Sequence, residues 1–257
     1  MKLNRLVVLT EGGKNLGFGH IMRCLTIAKS FKESGVEVEF IIDGDDSIQS
    51  VLNDQKFCIM DWINNKFLLE RLEEFNFILI DSIRVSNHLI RNIQMLRAKL
   101  LFIDDDKRRN ILDTGFVLDW TVLAEYKNYF SPRKKGVTYL LGSKYAPIRN
   151  SFRLNQKNKI SKKIKSIFVS FGGSDVRNLT PKVLLVLSQN FPDLKKTIVI
   201  GAGFKNIKRI KSYQDENTTL IFNAGAEKMS KLMNQSDVAI SCGGQTLYEL
   251  ACIGLPA

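Results

Sequence analysis

The sequence is short of the residues that build metal centres and covalent staples. Its four cysteines, Cys24, Cys58, Cys242 and Cys252, are scattered without metal-like pairing, and there are two histidines, His20 and His88. No bound metal and no cofactor are expected from that set, and scattered thiols in a chain without a signal peptide fit a reducing cytoplasm. No apolar run approaches the roughly 20 residues of a membrane span, so no integral membrane segment is expected. Polar Asn4 and Arg5 precede an apolar run of only strand length, which is not the pattern of a signal peptide. Low-complexity segments and short repeats are also missing. Acidic residues are in deficit, 26 against 38 lysines and arginines, and the resulting charge of +12 would suit an anionic partner. The excess lies in runs at 133–135, 157–165 and 205–211, none of which interleaves aromatics with basic residues or carries a nucleic-acid motif. A solvated basic surface is therefore expected, with no nucleic acid bound.

What is present is organised around residues 9–20, Leu-Thr-Glu-Gly-Gly-Lys-Asn-Leu-Gly-Phe-Gly-His. The preceding residues 4–10 read as a buried strand, and a helix beginning at or just before His20 carries apolar Ile21, Leu25, Ala28 and Phe31 on one face. Gly12, Gly13, Gly17 and Gly19 let the chain turn sharply between the two. A glycine loop entering a helix favours an anion, and a titratable side chain at that mouth sits where open α/β sheets bind their ligands.

Alternating strands and helices follow: strands at 36–42, 76–82 and 99–106, and helical spacing at 46–54, 67–75 and 88–98. Continuous apolar strands separated by helices predict a parallel sheet covered on both faces. The strand-end acids Asp81 and Asp104 to Asp106 should then share the carboxyl edge with the glycine loop, although any single one of them reads first as a turn-former or helix cap. From 115 to 148 the pattern is irregular. Residues 153–165 are polar and lysine-rich and read as an interdomain linker, between a first domain at 1–152 and a second at 166–257.

The second series has strands at 164–173, 197–201, 218–222 and 237–241 and helices at 179–187 and 227–236. It ends in a glycine turn and helix at 242–254, with Leu247, Leu250 and Ala251 expected to face inward. Two such domains imply a cleft between them. The final Leu255-Pro256-Ala257 looks like the start of a further strand, so the second domain is expected to be truncated.

Several segments carry a resemblance in order along the chain: GFGHIMRCLTIAKSF, LIDS, FIDDD, YAPIRNSF, FVSFGGSDVRNLTPKVL and CGGQTLYELACIGLPA. Together they resemble the PseG/SpsG family of pseudaminic-acid-pathway UDP-sugar hydrolases, relatives of the MurG-type GT-B glycosyltransferases. The resemblance implies an α/β, GT-B-like chain of two Rossmann-like domains. It also implies metal-independent release of UDP from a 2,4-diacetamido-2,4,6-trideoxy hexose. The family's catalytic histidine lies in its G-x-G-H motif, here His20 behind Gly17 and Gly19. An imidazole with an ordinary pKa near 6.5 can accept a proton from the attacking water.

Loop N–H groups at Gly172, Gly173 and Ser174 and at Gly243, Gly244, Gln245 and Thr246 would stabilise the diphosphate, and Glu249 would take the ribose hydroxyls. Glu11 falls at the expected sugar pocket. Many members have Arg-x-Asp where this chain has Leu9-Thr10-Glu11, and others follow the strand-end aspartate with His-Tyr where this chain has Ser82-Ile83. Both departures touch the choice of hexose. A glycosyltransferase with the same cleft, and a binding module without turnover, are the alternatives. The sequence carries nothing on oligomeric state.

Overall fold

The computed structural model describes residues 4–14, 16–52, 54–126, 128–156 and 160–257. The chain divides into two compact units, Met1–Pro147 and Ile148–Ala257.

The first unit runs β1 (Arg5–Gly12), α1 (Gly19–Glu33), β2 (Glu37–Gly44), β3 (Lys56–Ile59), α2 (Leu68–Leu72), β4 (Phe77–Asp81), α3 (Asn87–Gln94), β5 (Lys99–Ile103), β6 (Gly115–Asp119) and β7 (Val137–Leu141). All seven strands pair in parallel in the order β3-β2-β1-β4-β5-β6-β7. Central strands are buried on both faces, as the continuous apolar runs require: Leu6 to Leu9, Phe40 to Ile42 and Ile78 to Ile80 are all in the core. Each such side chain contributes roughly 1.5–3 kcal/mol on burial.

The region expected to be irregular, 115–148, contains β6 and β7, which extend the sheet. They lack the β–α signature because, among the described residues, no helix separates β5, β6 and β7, and β7 alternates only weakly at the sheet edge. β3 was also not apparent in the sequence: it is a four-residue edge strand following a single 3-10 turn, Asp46–Ser50.

The second unit runs α4 (Asn150–Arg153), β8 (Ser166–Ser170), α5 (Thr180–Asn190), β9 (Lys195–Ile200), α6 (Ile207–Ser212), β10 (Thr218–Phe222), α7 (Ala226–Gln235), β11 (Val238–Ser241) and α8 (Gln245–Ile253). Its parallel sheet has the order β10-β9-β8-β11. Alternation along β8 builds a core on each face: Ile167 and Val169 pack with Leu184, Leu187 and Ile210, and Phe168 packs with Met233, Leu250 and Ile253.

Phe152 is fully buried in the latter cluster. Helix α4 therefore belongs to the second unit, and the division falls at 147/148 and not after 152. Asn155 continues that attachment by donating to Ser230 Oγ at 2.9 Å. Of the expected linker, residues 157–159 lie outside the described residues. Along α8 only Leu250 of the three expected inward residues is buried. Leu247 and Ala251 are exposed, because the helix turns Glu249, Leu250 and Ile253 to the core.

Candidate functional site

In the first sheet β1, β2 and β3 step outward one way, and β4 returns to the other side of β1. The order reverses between β1 and β4, and such a reversal opens a crevice at the strand carboxyl ends. Thr10, near the carboxyl end of β1, pairs with Asp81, the last residue of β4. Helix α1 delivers His20 to the same point from its first turn. His20 is part-exposed, its side chain 21% accessible, while that of Asp81 is 1% accessible.

The His20 Nδ1 lies 2.8 Å from Asp81 Oδ1. Burial would push the Asp81 carboxyl up, but Arg23 and then His20 overcome it and hold the group below the ordinary carboxylate range. An ionised carboxylate only accepts, so Nδ1 must carry the proton and donate it. The Nε2 lone pair is then the basic position. This is the chemical logic by which a carboxylate fixes the tautomer of a catalytic imidazole.

Arg23, one turn along α1, donates to both Asp81 oxygens, Nε to Oδ2 at 2.6 Å and Nη2 to Oδ1 at 2.5 Å. Its Nη1 donates to Asp105 Oδ2 at 2.6 Å, just beyond β5, and its guanidinium lies 5.0 Å from the Trp120 ring centre. Burial opposes the guanidinium's charge, but Asp81 and Asp105 outweigh it and raise its proton affinity further. Cys24 completes the surroundings, its thiol donating to Asp81 Oδ2 at 3.5 Å; burial and the nearby carboxylate push that thiol well up.

The strand-end acids thus separate into distinct roles. Asp81 orients His20, Asp105 holds Arg23, Asp104 is buried and accepts the Arg109 backbone N–H, and Asp106 is exposed. Arg23 had no place in the expected site; its only signal was helical spacing, three residues after His20.

Asp81 also makes stability depend on pH. Because its folded pKa is depressed, its ion pair stabilises fully above the unfolded value of about 4 and is lost as pH falls through the folded value. The difference in urea midpoint between the wild type and Asp81→Asn should be largest near neutrality and should close in acid. A difference constant across the acid range would contradict the pairing.

Glu11 lies at the β1 end but is buried, accepting from Ser82 Oγ at 2.7 Å, the Ile83 N–H at 3.1 Å and Arg84 Nε at 2.9 Å. Residues 9–11 and 82–83 are therefore one coupled unit in which Glu11 holds the turn after β4. Gly17, with a φ of 78°, exchanges two backbone hydrogen bonds with Gly13, 3.0 and 2.8 Å, closing the loop on itself; Gly19 is the first residue of α1. Those two N–H groups are consequently engaged within the loop. His88 stands apart at the surface, its Nε2 3.1 Å from Asn92 Nδ2. A shallow depression of about 560 Å³ between Lys32, Glu37 and Lys56 lies at the opposite, amino edge of the sheet.

The second sheet repeats the arrangement, with its order reversing between β8 and β11. Gly172, Gly173 and Ser174 follow β8, and Gly243, Gly244, Gln245 and Thr246 follow β11, so both loops leave adjacent strand ends. They differ in how the next helix starts. Asp175 accepts the N–H groups of Leu179 and Thr180, both at 2.8 Å, placing a carboxylate at the head of α5. Helix α8 opens at Gly244 with no side-chain cap. Gly244 has a φ of 99°, a conformation that a side chain would strain, and the space where a Cβ would stand is open. Gly173 turns its carbonyl to the Gly203 N–H at 2.9 Å, which props its loop against residues 201–203.

Glu249 is 2% accessible and is gripped by Arg149, whose Nε and Nη2 both lie 2.8 Å from Oε1. Burial pushes its carboxyl up, against Arg149. Arg149 was not expected as a partner, lying 100 residues away in sequence.

No protein-family model matches the chain. It is 28% identical over 98% of its length to MJ1062 of Methanocaldococcus jannaschii, and spans 54% of that longer protein. It is 23% identical to the spore coat polysaccharide biosynthesis protein SpsG of Bacillus subtilis, covering 97% of this chain and 75% of the other. It is 25% identical to the UDP-2,4-diacetamido-2,4,6-trideoxy-beta-L-altropyranose hydrolase of Campylobacter jejuni, covering 95% and 87%. Among solved structures, MurG of Acinetobacter baumannii superposes with a TM-score of 0.60 at 16% identity, covering 97% of this chain and 76% of that one. UDP-GlcNAc 2-epimerase of Neisseria meningitidis gives 0.57 at 14%, covering 98% and 81%. The chain is a distant relative of SpsG and of the Campylobacter UDP-sugar hydrolase, and has the fold shared by GT-B glycosyltransferases and epimerases.

Proposed function

We propose that this protein is a cytoplasmic nucleotide-sugar hydrolase of nonulosonate or surface-glycan biosynthesis. Its substrate is a UDP-sugar similar to UDP-2,4-diacetamido-2,4,6-trideoxy-hexose. The observation that carries the reading is the 2.8 Å contact of His20 Nδ1 with Asp81, which directs the basic Nε2 away from the buried carboxylate. His20 Nε2 removes a proton from water as its oxygen bonds to the anomeric carbon. The bond from that carbon to the β-phosphate oxygen breaks, its electron pair leaves with UDP, and the proton on His20 passes to solvent. UDP is a good leaving group, so charge stabilisation matters more than protonation of the departing oxygen.

The diphosphate is placed at Gly243–Thr246 and the ribose at Glu249. The uncapped start of α8 supports this choice over the Asp175-capped start of α5, where a carboxylate would repel the phosphates. Most of the chain's +12 charge also falls in residues 148–257. Glu11, being buried, shapes the sugar pocket through the 82–84 turn in this reading.

The reaction is proposed to need no metal, because Asp81, the carboxylate against His20, and Asp105 beside it on the same guanidinium are both engaged by Arg23. Turnover should persist in EDTA; complete loss restored by magnesium would contradict this. The reading itself is tested by incubating the protein with a panel of UDP-sugars and following UDP release with and without acceptors. Transfer is the second reading, favoured by exposed Val122, Leu123 and Tyr126 on the turn after β6, an apolar surface an acceptor could use. Release that requires an acceptor would establish it.

A further inference from the structure

The carboxylate of Asp81 is buried, and a buried carboxylate needs a counter-ion. Two groups can supply the positive charge, the guanidinium of Arg23 and a protonated His20. They make different chemistry. If His20 carried the charge, its Nε2 would be protonated and unable to accept a proton from water.

We propose that Arg23 is the permanent counter-ion of Asp81, a positioning residue that leaves His20 uncharged and its Nε2 free to act as a base. The proposal rests on the reading of His20 as the base. The geometry is that of a fork closed on both carboxylate oxygens, Nε on Oδ2 and Nη2 on Oδ1, which lysine cannot reproduce with its single ammonium. Arg23 Nη2 also lies 3.2 Å from His20 Nδ1, so a charged imidazole would sit directly against a fixed cation.

Among the described residues, the charged and titratable groups bonded around His20 come from three elements: Arg23 and Cys24 on α1, Asp81 on β4 and Asp105 after β5. Asp105 shares the guanidinium, with contacts of 2.6 and 3.3 Å, and so divides its positive charge between two carboxylates. The signs follow. Removing Arg23 leaves Asp81 and Asp105 facing one another without a cation, and the missing charge is made up by a proton on His20. Removing the charge of Asp105 leaves Arg23 wholly to Asp81 and opposes a proton on His20 further.

The test uses the ring nitrogen shifts of His20 in the intact protein, which report its protonation directly. With only two histidines in the chain, a His88→Gln background leaves one signal to follow. In Arg23→Met the proton should be retained on His20 to a pH about 1–2 units higher than in the wild type, and the acid limb of kcat/KM should move up equally. Arg23→Lys, which keeps the charge and loses the fork, should shift both less. Asp105→Asn should shift both downward, and it decides the matter alone if the Arg23→Met protein does not fold. A folded Arg23→Met protein with unchanged His20 protonation would overturn the proposal. So would Arg23→Lys shifting as far as Arg23→Met, or Asp105→Asn shifting upward or not at all. The ring shifts need no substrate. Failure of the hydrolysis reading would therefore appear as absent turnover on UDP-sugars, separately from any failure of the Arg23 proposal.

Discussion

His20→Asn is expected to lower UDP release by roughly 10²–10⁴-fold, the usual contribution of a positioned general base, while leaving UDP affinity nearly intact. Asparagine is suited to the test because its amide can still donate a hydrogen bond to Asp81 Oδ1, so the buried carboxylate keeps a donor at that position. Arg23 continues to grip both Asp81 oxygens, and the local fold should survive. What disappears is the acceptor nitrogen. Nucleotide affinity should be spared because the diphosphate is assigned to α8 in the second unit, and the loop before His20 has two of its N–H groups closed between Gly13 and Gly17. Calorimetric UDP binding and a turnover assay on the same variant check both halves. Near-normal turnover would remove His20 from the mechanism.

Glu249 should have the second large effect, and the structure changes how it must be tested. Removing a carboxylate that hydrogen-bonds ribose is expected to weaken UDP binding by about 1–3 kcal/mol. Yet Glu249 is buried against Arg149, and truncation to alanine would strand that guanidinium, a loss of about 3–5 kcal/mol in buried pairs. Glu249→Ala should therefore destabilise the second unit as well as weaken binding, and affinity alone would mislead. Glu249→Gln keeps the shape and one acceptor oxygen for Arg149, so it should retain more of the fold while still losing charge-assisted bonds to ribose. Urea unfolding and UDP titration of both variants separate the two effects. If both folded variants bind UDP normally and His20→Asn does not, the assignment of the two units is reversed.

Much of the fold was legible because it rests on local pattern. The apolar strand, glycine turn and amphipathic α1 appear in residues 5–33 alone, and the GG turns after β8 and β11 mark the strand ends of the second sheet. The sequence was silent where the pattern is not periodic: among the described residues β6 and β7 are joined without helices, and α4 is too short to show which core its Phe152 enters. Helix α8 misled for a different reason. Leu247 and Ala251 are apolar but turn outward, because the face of α8 packed on the core carries Glu249, Leu250 and Ile253.

By itself the sequence determined the α/β class, the two series of units, and His20 at a strand-to-helix mouth, since each follows from residues adjacent along the chain. Only the tertiary structure decided what His20 can do. Asp81 is 61 residues away from it, and Asp105 is 82 residues from Arg23. Whether these groups meet depends on β4 returning beside β1 and β5 falling next to it, a strand order that no local periodicity encodes. The same holds for Glu249, whose charge is balanced by an arginine 100 residues earlier. A buried charge requires a partner, but where that partner comes from is fixed by the packing of elements distant in the chain.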